Sequence, residues 1–201
     1  MTAMGSSTSL RAVVENVVQQ PPFNRLTVEE QKLLFTDAAL VRCPQGQRIL
    51  RPDSLPDQVF LVLSGTVRLL AETPRGSRTL DCREKGQLLG WVSLLRASPC
   101  EWVLASEDTV LLGLPAQKFV ACLETNTRFY EALAQLRSVH ELDAVLQQAA
   151  TAESLLVAGW QEQLQAISDS DQSWSASAEP GLPFTPPDGV PGQLVWLLST
   201  E

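Results

Sequence analysis

Between Ala38 and Leu114 a turn signal interrupts the chain about every 8 to 12 residues. The signals are Pro44-Gln45-Gly46, Pro52-Asp53-Ser54, Ser64-Gly65 and Thr73-Pro74-Arg75-Gly76. The segments between them are Ala39–Cys43, Arg48–Leu50, Gln58–Leu63, Thr66–Ala71 and Ser77–Arg83, several alternating and several rich in Val, Leu or Thr. Punctuation this dense leaves no room for ordinary helices, and proline and glycine set the turns by fixing or freeing φ. Two strands within the stretch 86–106, Gln87–Leu89 and Glu101–Ala105, and another over Thr109–Leu114 complete the set. The pattern predicts an all-β sandwich or jelly roll over 37–124.

Helical patterns stand on both sides. Ser9 to Gln19 places apolar residues at 10, 13, 14, 17 and 18, one face of a helix that Pro21 and Pro22 stop. Thr27 with Glu30 three residues on is a capping box, which opens a short helix to about Phe35 and closes an amino-terminal helical segment, 1–36. Ala116 to Leu123 reads as a helix after Pro115. From Thr125 to Gln148 apolar residues such as Phe129, Leu133, Leu136, Val139 and Leu142 recur at spacings of three and four. That helix either lies on the roll or forms a seam with a second copy of the chain. Residues 153–167 add one more amphipathic helix, so 125–167 reads as carboxy-terminal helices. Residues 168–191 are a Ser-, Asp-, Pro- and Gly-rich linker, and 192–201 is an orphan strand, the possible start of a further domain.

Charge narrows the functions. Net charge is −8, and residues 121–201 hold only Arg128 and Arg137 against 11 acids. Nucleic-acid affinity rests on cations that neutralise phosphates, so direct DNA binding is not expected. No apolar run approaches the roughly 18 residues that span a bilayer, and the first residues do not form a signal peptide. The expectation is a cytoplasmic protein, whether free or at the cytoplasmic face of a membrane as part of a larger protein. Cys43, Cys82, Cys100 and Cys122 show no zinc-ligand spacing and read as reduced thiols, buried as small hydrophobes except for Cys100.

The central stretch is GQLLGWVSLLRASPCEWVLAS, residues 86–106. Strand, glycine, helical turn, loop and strand aim backbone N–H groups into one concavity, a ready anion nest. With Gly46, the hairpin Gly65 and the strand pattern 59–70, the stretch resembles the cyclic-nucleotide-binding domain, a catabolite-activator-like double-stranded β-helix. The resemblance covers residues 20–140 and implies a mainly β fold with flanking helices. In that family a glutamate takes the ribose hydroxyl and an arginine the cyclic phosphate. Leu89 and Gly90 match the family's Phe-Gly pair, and Val92, Ser93, Leu94 and Leu95 follow its apolar turn. Pro99 matches the proline, Trp91 falls at the glutamate, Cys100 at the arginine and Trp102 at an alanine. The resemblance therefore implies a degenerate ligand pocket formed by Leu89, Gly90, Trp91, Val92, Ser93, Pro99, Cys100, Glu101 and Trp102. It carries no expected cofactor, neither cyclic AMP nor cyclic GMP. Trp91→Glu with Cys100→Arg is expected to restore weak nucleotide binding. Gly-Trp followed by Pro-Cys-Glu-Trp is also similar to the amino-terminal domain of cyanobacterial ABC-type peptide and toxin exporters that carry a peptidase domain, whose other domains would be partners.

No enzyme constellation stands out. The one histidine, His140, sits on a helix and reads as surface or dimer packing. Glu101 and Asp108 read as solvated strand-end charges, and Arg96 as a solvated loop arginine. Trp91 and Trp102 either plug a vacated pocket or form an aromatic platform. Cys100 is either a packed thiol or a reactive one. Two functions stay open: a regulatory and interaction domain without catalysis, or a sensor for a non-standard nucleotide or small anion.

Overall fold

The computed structural model describes residues 4–73, 76–136, 138–144, 147 and 164. The chain divides into two compact units, residues 1–133 and 134–201. The first opens with helix α1 (Met4–Val17), a single 3-10 turn (Phe23–Arg25) and α2 (Val28–Phe35). The capping box at α2 forms in both directions. Thr27 Oγ1 accepts from the Glu30 amide at 3.3 Å, and Glu30 accepts from the Thr27 amide at 2.7 Å. Asn126 donates its side-chain amide to the same Glu30 oxygen at 2.8 Å, so one carboxylate ties α2 to the segment after the roll. These donors hold Glu30 below its ordinary carboxyl value, the Thr27 amide contributing most.

Eight strands follow, with the short helix α3 (Trp91–Leu95) inserted among them. They are β1 (Ala39–Cys43), β2 (Arg48–Leu50), β3 (Gln58–Ser64), β4 (Val67–Thr73), β5 (Gly76–Arg83), β6 (Leu88–Leu89), β7 (Trp102–Ala105) and β8 (Thr109–Pro115). They make two antiparallel four-stranded sheets, ordered β1-β8-β3-β6 and β2-β7-β4-β5. This is the expected β-roll with flanking helices. Alternation sorts the faces: Val103 and Ala105 of β7 are buried, while Trp102 and Leu104, which alternate with them, are half-buried.

Gly65 fixes the β3–β4 hairpin. Its φ is +84°, and a Cβ there would lie 2.6 Å from Thr109 Oγ1, 2.7 Å from the Asp108 carbonyl and 2.8 Å from Thr109 Cα. Two of those atoms are backbone and cannot swing aside. Gly65→Ala is therefore expected to cost about 3 kcal/mol, strain and overpacking combined. A urea midpoint lowered at unchanged slope would show it; a variant melting like the parent would contradict the hairpin geometry.

Helix α4 (Ala116–Thr125) and α5 (Thr127–Ala134) return along the roll. With α1 and α2 they build a core outside the first sheet. Phe23 packs edge-on against Phe35, and Phe119 edge-on against Phe129, each with centroids 5.3 Å apart. The single helix expected over 125–148 is broken. Asn126 adopts an extended conformation between α4 and α5, and α5 ends at Ala134. Phe129 and Leu133 are fully buried in this core, so that half of the expected seam is already used. In the second unit, Ser138 opens a new helical turn, its carbonyl accepting from the Leu142 amide at 3.0 Å. The helix expected over 153–167, the linker 168–191 and the strand 192–201 lie outside the described residues, apart from Leu164. His140 is half-buried in the new turn. No helix among the described residues is long and apolar enough to cross a membrane.

The cysteine expectation holds for Cys43 and Cys122, which are buried, and fails for Cys82, which is exposed on edge strand β5. Burial raises both inner thiols, Cys122 to about 11 with the Glu30 carboxylate adding to the effect.

Candidate functional site

The cassette begins at Gly90, with φ +84°, which turns the chain from β6 into the five-residue helix α3 (Trp91–Leu95). A Cβ on Gly90 would lie 3.1 Å from the Gln58 carbonyl, so the glycine is needed for approach as well as for its turn. At the far end Ala97 takes a left-handed φ of +51°. Ser98 N–H then donates to the Ser93 carbonyl at 3.0 Å, and Ala97 N–H to the Leu94 carbonyl at 3.2 Å. This closure resembles the left-handed helix caps that glycine usually serves. It turns Ser98 to Glu101 back beneath the start of α3.

That return brings a carboxylate into the nest. Glu101 Oε1 accepts from the Gly90 amide at 2.9 Å. Glu101 Oε2 accepts from the Ser93 amide at 3.2 Å and from Ser93 Oγ at 3.1 Å. The first amides of a helix have no intrahelical partner, and here the chain's own side chain satisfies them. Ser93 Oγ in turn accepts from the Cys100 amide at 3.3 Å and lies 3.5 Å from Cys100 Sγ. Glu101 is only 4% exposed. No ion pair to it is present among the described residues. Burial pushes its carboxyl above the ordinary value, while the Gly90, Ser93 and Val92 donors pull the other way. Every named partner is a donor, which offsets part of that burial cost.

The reading of Glu101 as a solvated strand-end charge is therefore overturned. Asp108 does stay at the surface, where it accepts from the Gln45 amide at 3.0 Å. The plug reading of the tryptophans also changes. Trp91 is 8% exposed and belongs to the helix-side core with Val17, Phe23, Phe119 and Phe129. It anchors α3 to the helices. Trp102 lies on the face opposite buried Val103, with the Arg48 guanidinium 5.9 Å from its ring centroid. Arg96 is half-buried at the end of α3, its amide donating to the Val92 carbonyl at 2.9 Å. Of the nine residues assigned to the pocket, Gly90, Ser93, Cys100 and Glu101 form one hydrogen-bonded cluster. Leu89 and Val92 are buried beside it, Pro99 is exposed, and Trp91 and Trp102 face elsewhere. No group of acids, cysteines or histidines among the described residues is arranged to hold a metal ion.

Comparison with known proteins bears on the fold that carries this cassette. Residues 40–126 match the model of the cyclic nucleotide-binding domain. These residues have that domain's fold. The chain is 33% identical over 130 residues to the cyclic AMP receptor protein of Thermus thermophilus, an alignment covering 63% of this chain and 60% of that protein. The chain thus spans less than two thirds of that relative's length. Among solved structures, the sensor domain of the transcriptional regulator DNR from Pseudomonas aeruginosa superposes with a TM-score of 0.56 at 18% identity, over 75% of this chain and 99% of that one. The regulatory subunit of a cAMP-independent protein kinase A from Trypanosoma brucei gives 0.51 at 18% identity, over 82% of this chain and 53% of that one. At such identities the likeness concerns the fold alone.

Proposed function

We propose that this cyclic-nucleotide-binding fold serves as a regulatory and interaction domain without catalytic activity, its cassette closed by the chain's own Glu101. One observation carries the reading: the buried carboxylate satisfies the Gly90 and Ser93 amides that open α3. An incoming phosphate would have to displace that carboxylate. It would then meet Cys100 where the family resemblance expects an arginine, and a buried phosphate without a cation is costly. Trp91, at the expected ribose-binding glutamate, is committed to the helix core. The sensor reading requires Glu101 to leave the nest and has no comparable support.

We further propose that the module forms the amino-terminal part of an ABC-type peptide exporter, on the cytoplasmic side, a reading supported by the resemblance of Gly90-Trp91 and Pro99-Cys100-Glu101-Trp102 to such domains. Its partners there would be the transporter's other domains.

A thermal-shift series with cyclic AMP, cyclic GMP, cyclic dinucleotides, ATP and inorganic phosphate tests the closed cassette. A ligand at 100 times its dissociation constant would add about 2.7 kcal/mol and raise the midpoint by several degrees. The expected result is no shift with any of them at millimolar concentration. A shift of that size with a cyclic nucleotide would overturn the proposal.

A further inference from the structure

Beside the cassette, an open groove of about 670 Å³ runs between the end of β2 and the start of β3. β2 is the edge strand of its sheet, paired with β7 on one side only. Its other edge carries no strand among the described residues, and such an edge is a template for an added strand. Arg48 and Arg51 line the groove from this strand and from the residue after it. Both are exposed, and neither has a carboxylate within ion-pair distance among the described residues. Trp102 lies under the Arg48 guanidinium, which steadies it by a cation–π contact. The opposite wall is apolar, formed by Leu55, 47% exposed, with Pro56 and Phe60. Asp57 is the one acid on the described lining, so the groove keeps an excess positive charge in a chain of net charge −8.

We propose that this groove docks an extended acidic peptide from a partner protein. The peptide adds along the β2 edge, sets carboxylates at Arg48 and Arg51, and rests an apolar side chain on Leu55 and Pro56. Strand addition supplies main-chain hydrogen bonds for affinity and side-chain pockets for selectivity. Two arginines suit carboxylates on a peptide and are too few for a nucleic-acid backbone. The site is also joined to the cassette. A Cβ on Gly90 would lie 3.4 Å from Leu50 Cδ1 and 3.5 Å from Pro56 Cγ, so the groove wall packs on the residue whose amide Glu101 holds. The inference rests on the reading of the domain as an interaction module and identifies the surface that interacts.

The test uses the full chain and a phage-displayed library of random dodecapeptides, with counter-selection on an Arg48→Glu/Arg51→Glu variant. Both arginines are exposed, so that variant is expected to melt like the parent. Enriched sequences should combine Asp or Glu with an apolar residue. The strongest, made synthetically, should shift backbone amides of residues 46–58 and Gly90 in a nitrogen-15 spectrum. It should bind the double variant about tenfold more weakly. No enrichment, enrichment without acids, equal binding to the variant, or shifts confined to other surfaces would each overturn the proposal. So would the same shifts with citrate alone, because the groove would then read small anions. Cyclic AMP added to the same sample reports on the cassette separately, so either reading can fail without the other.

Discussion

Trp91→Glu unfolds the domain or leaves it barely folded at room temperature. The indole is 8% exposed within a core that gathers α1, α2, α4 and α5 around Phe119 and Phe129. Removing a large buried aromatic costs about 3–5 kcal/mol. Leaving a carboxylate there without a partner adds several kcal/mol more, or forces it to protonate. The sum reaches the roughly 5–15 kcal/mol that holds a domain of this size together. Circular dichroism melting and near-ultraviolet spectra would show it, with Trp91→Phe costing under about 2 kcal/mol as the shape-preserving control. A Trp91→Glu protein melting within a few degrees of the parent would place Trp91 in an open cassette instead. For the same reason Trp91→Glu with Cys100→Arg is not expected to restore nucleotide binding, contrary to the reading from the resemblance. That pair breaks the helix core and still leaves Glu101 in the nest.

Glu101→Ala is expected to cost about 3 kcal/mol and lower the melting midpoint by roughly 10 °C. Its donors lose their acceptor at once, among them the Gly90 amide, the Ser93 amide and Ser93 Oγ. Glu101→Gln is no harmless isostere here. It keeps one acceptor oxygen and turns an NH₂ group toward donors, so it should cost at least about 1 kcal/mol. The pH dependence has a definite sign. Burial raises the folded-state value of Glu101 above 4.5, so this group's favourable linkage is fully present below 4.5 and is lost as pH rises through the folded value. Glu30 runs the opposite way: its contribution is present above 4.5 and is lost as pH falls. The stability of the parent relative to Glu101→Gln should therefore grow as pH falls toward 4.5, because Glu30 is common to both. Melting curves between pH 8 and 4.5 read this directly. An Ala variant as stable as the parent would mean that Glu101 does not hold the nest.

The strands were legible because their ends are chemical. β1 and β2 fall at the expected residues because Pro44-Gln45-Gly46 and Pro52-Asp53-Ser54 bracket them. The capping box was readable at Thr27 and Glu30 for the same local reason. The cassette was legible as a backbone plan and not as a set of side-chain directions. Five residues of helix do not reveal which face meets a core that α1, α4 and α5 supply from far along the chain, so Trp91 was assigned to the pocket. Glu101 was hidden by a long-range effect of a small residue. Ala97 in a left-handed turn carries Ser98 to Glu101 back under Gly90, and nothing in the spacing of Pro99-Cys100-Glu101 announces that return. The usable signal was Ser93, a hydroxyl among apolar neighbours whose burial calls for a polar partner, one source of which is the following loop. The continuous helix over 125–148 failed because heptad-like spacing survives a break at Asn126 and another before Ser138.

The placement of the Glu101 carboxylate in the amide nest is the feature on which the closed cassette depends. It is tested most directly by following the Glu101 side-chain carboxyl carbon and the Gly90 and Ser93 amide protons by NMR through a pH titration. Both amides are expected to shift with the midpoint of Glu101, above the ordinary carboxyl value, and the shared transition to vanish in Glu101→Gln. Amides of Gly90 and Ser93 that stay still while Glu101 titrates at an ordinary value would contradict it.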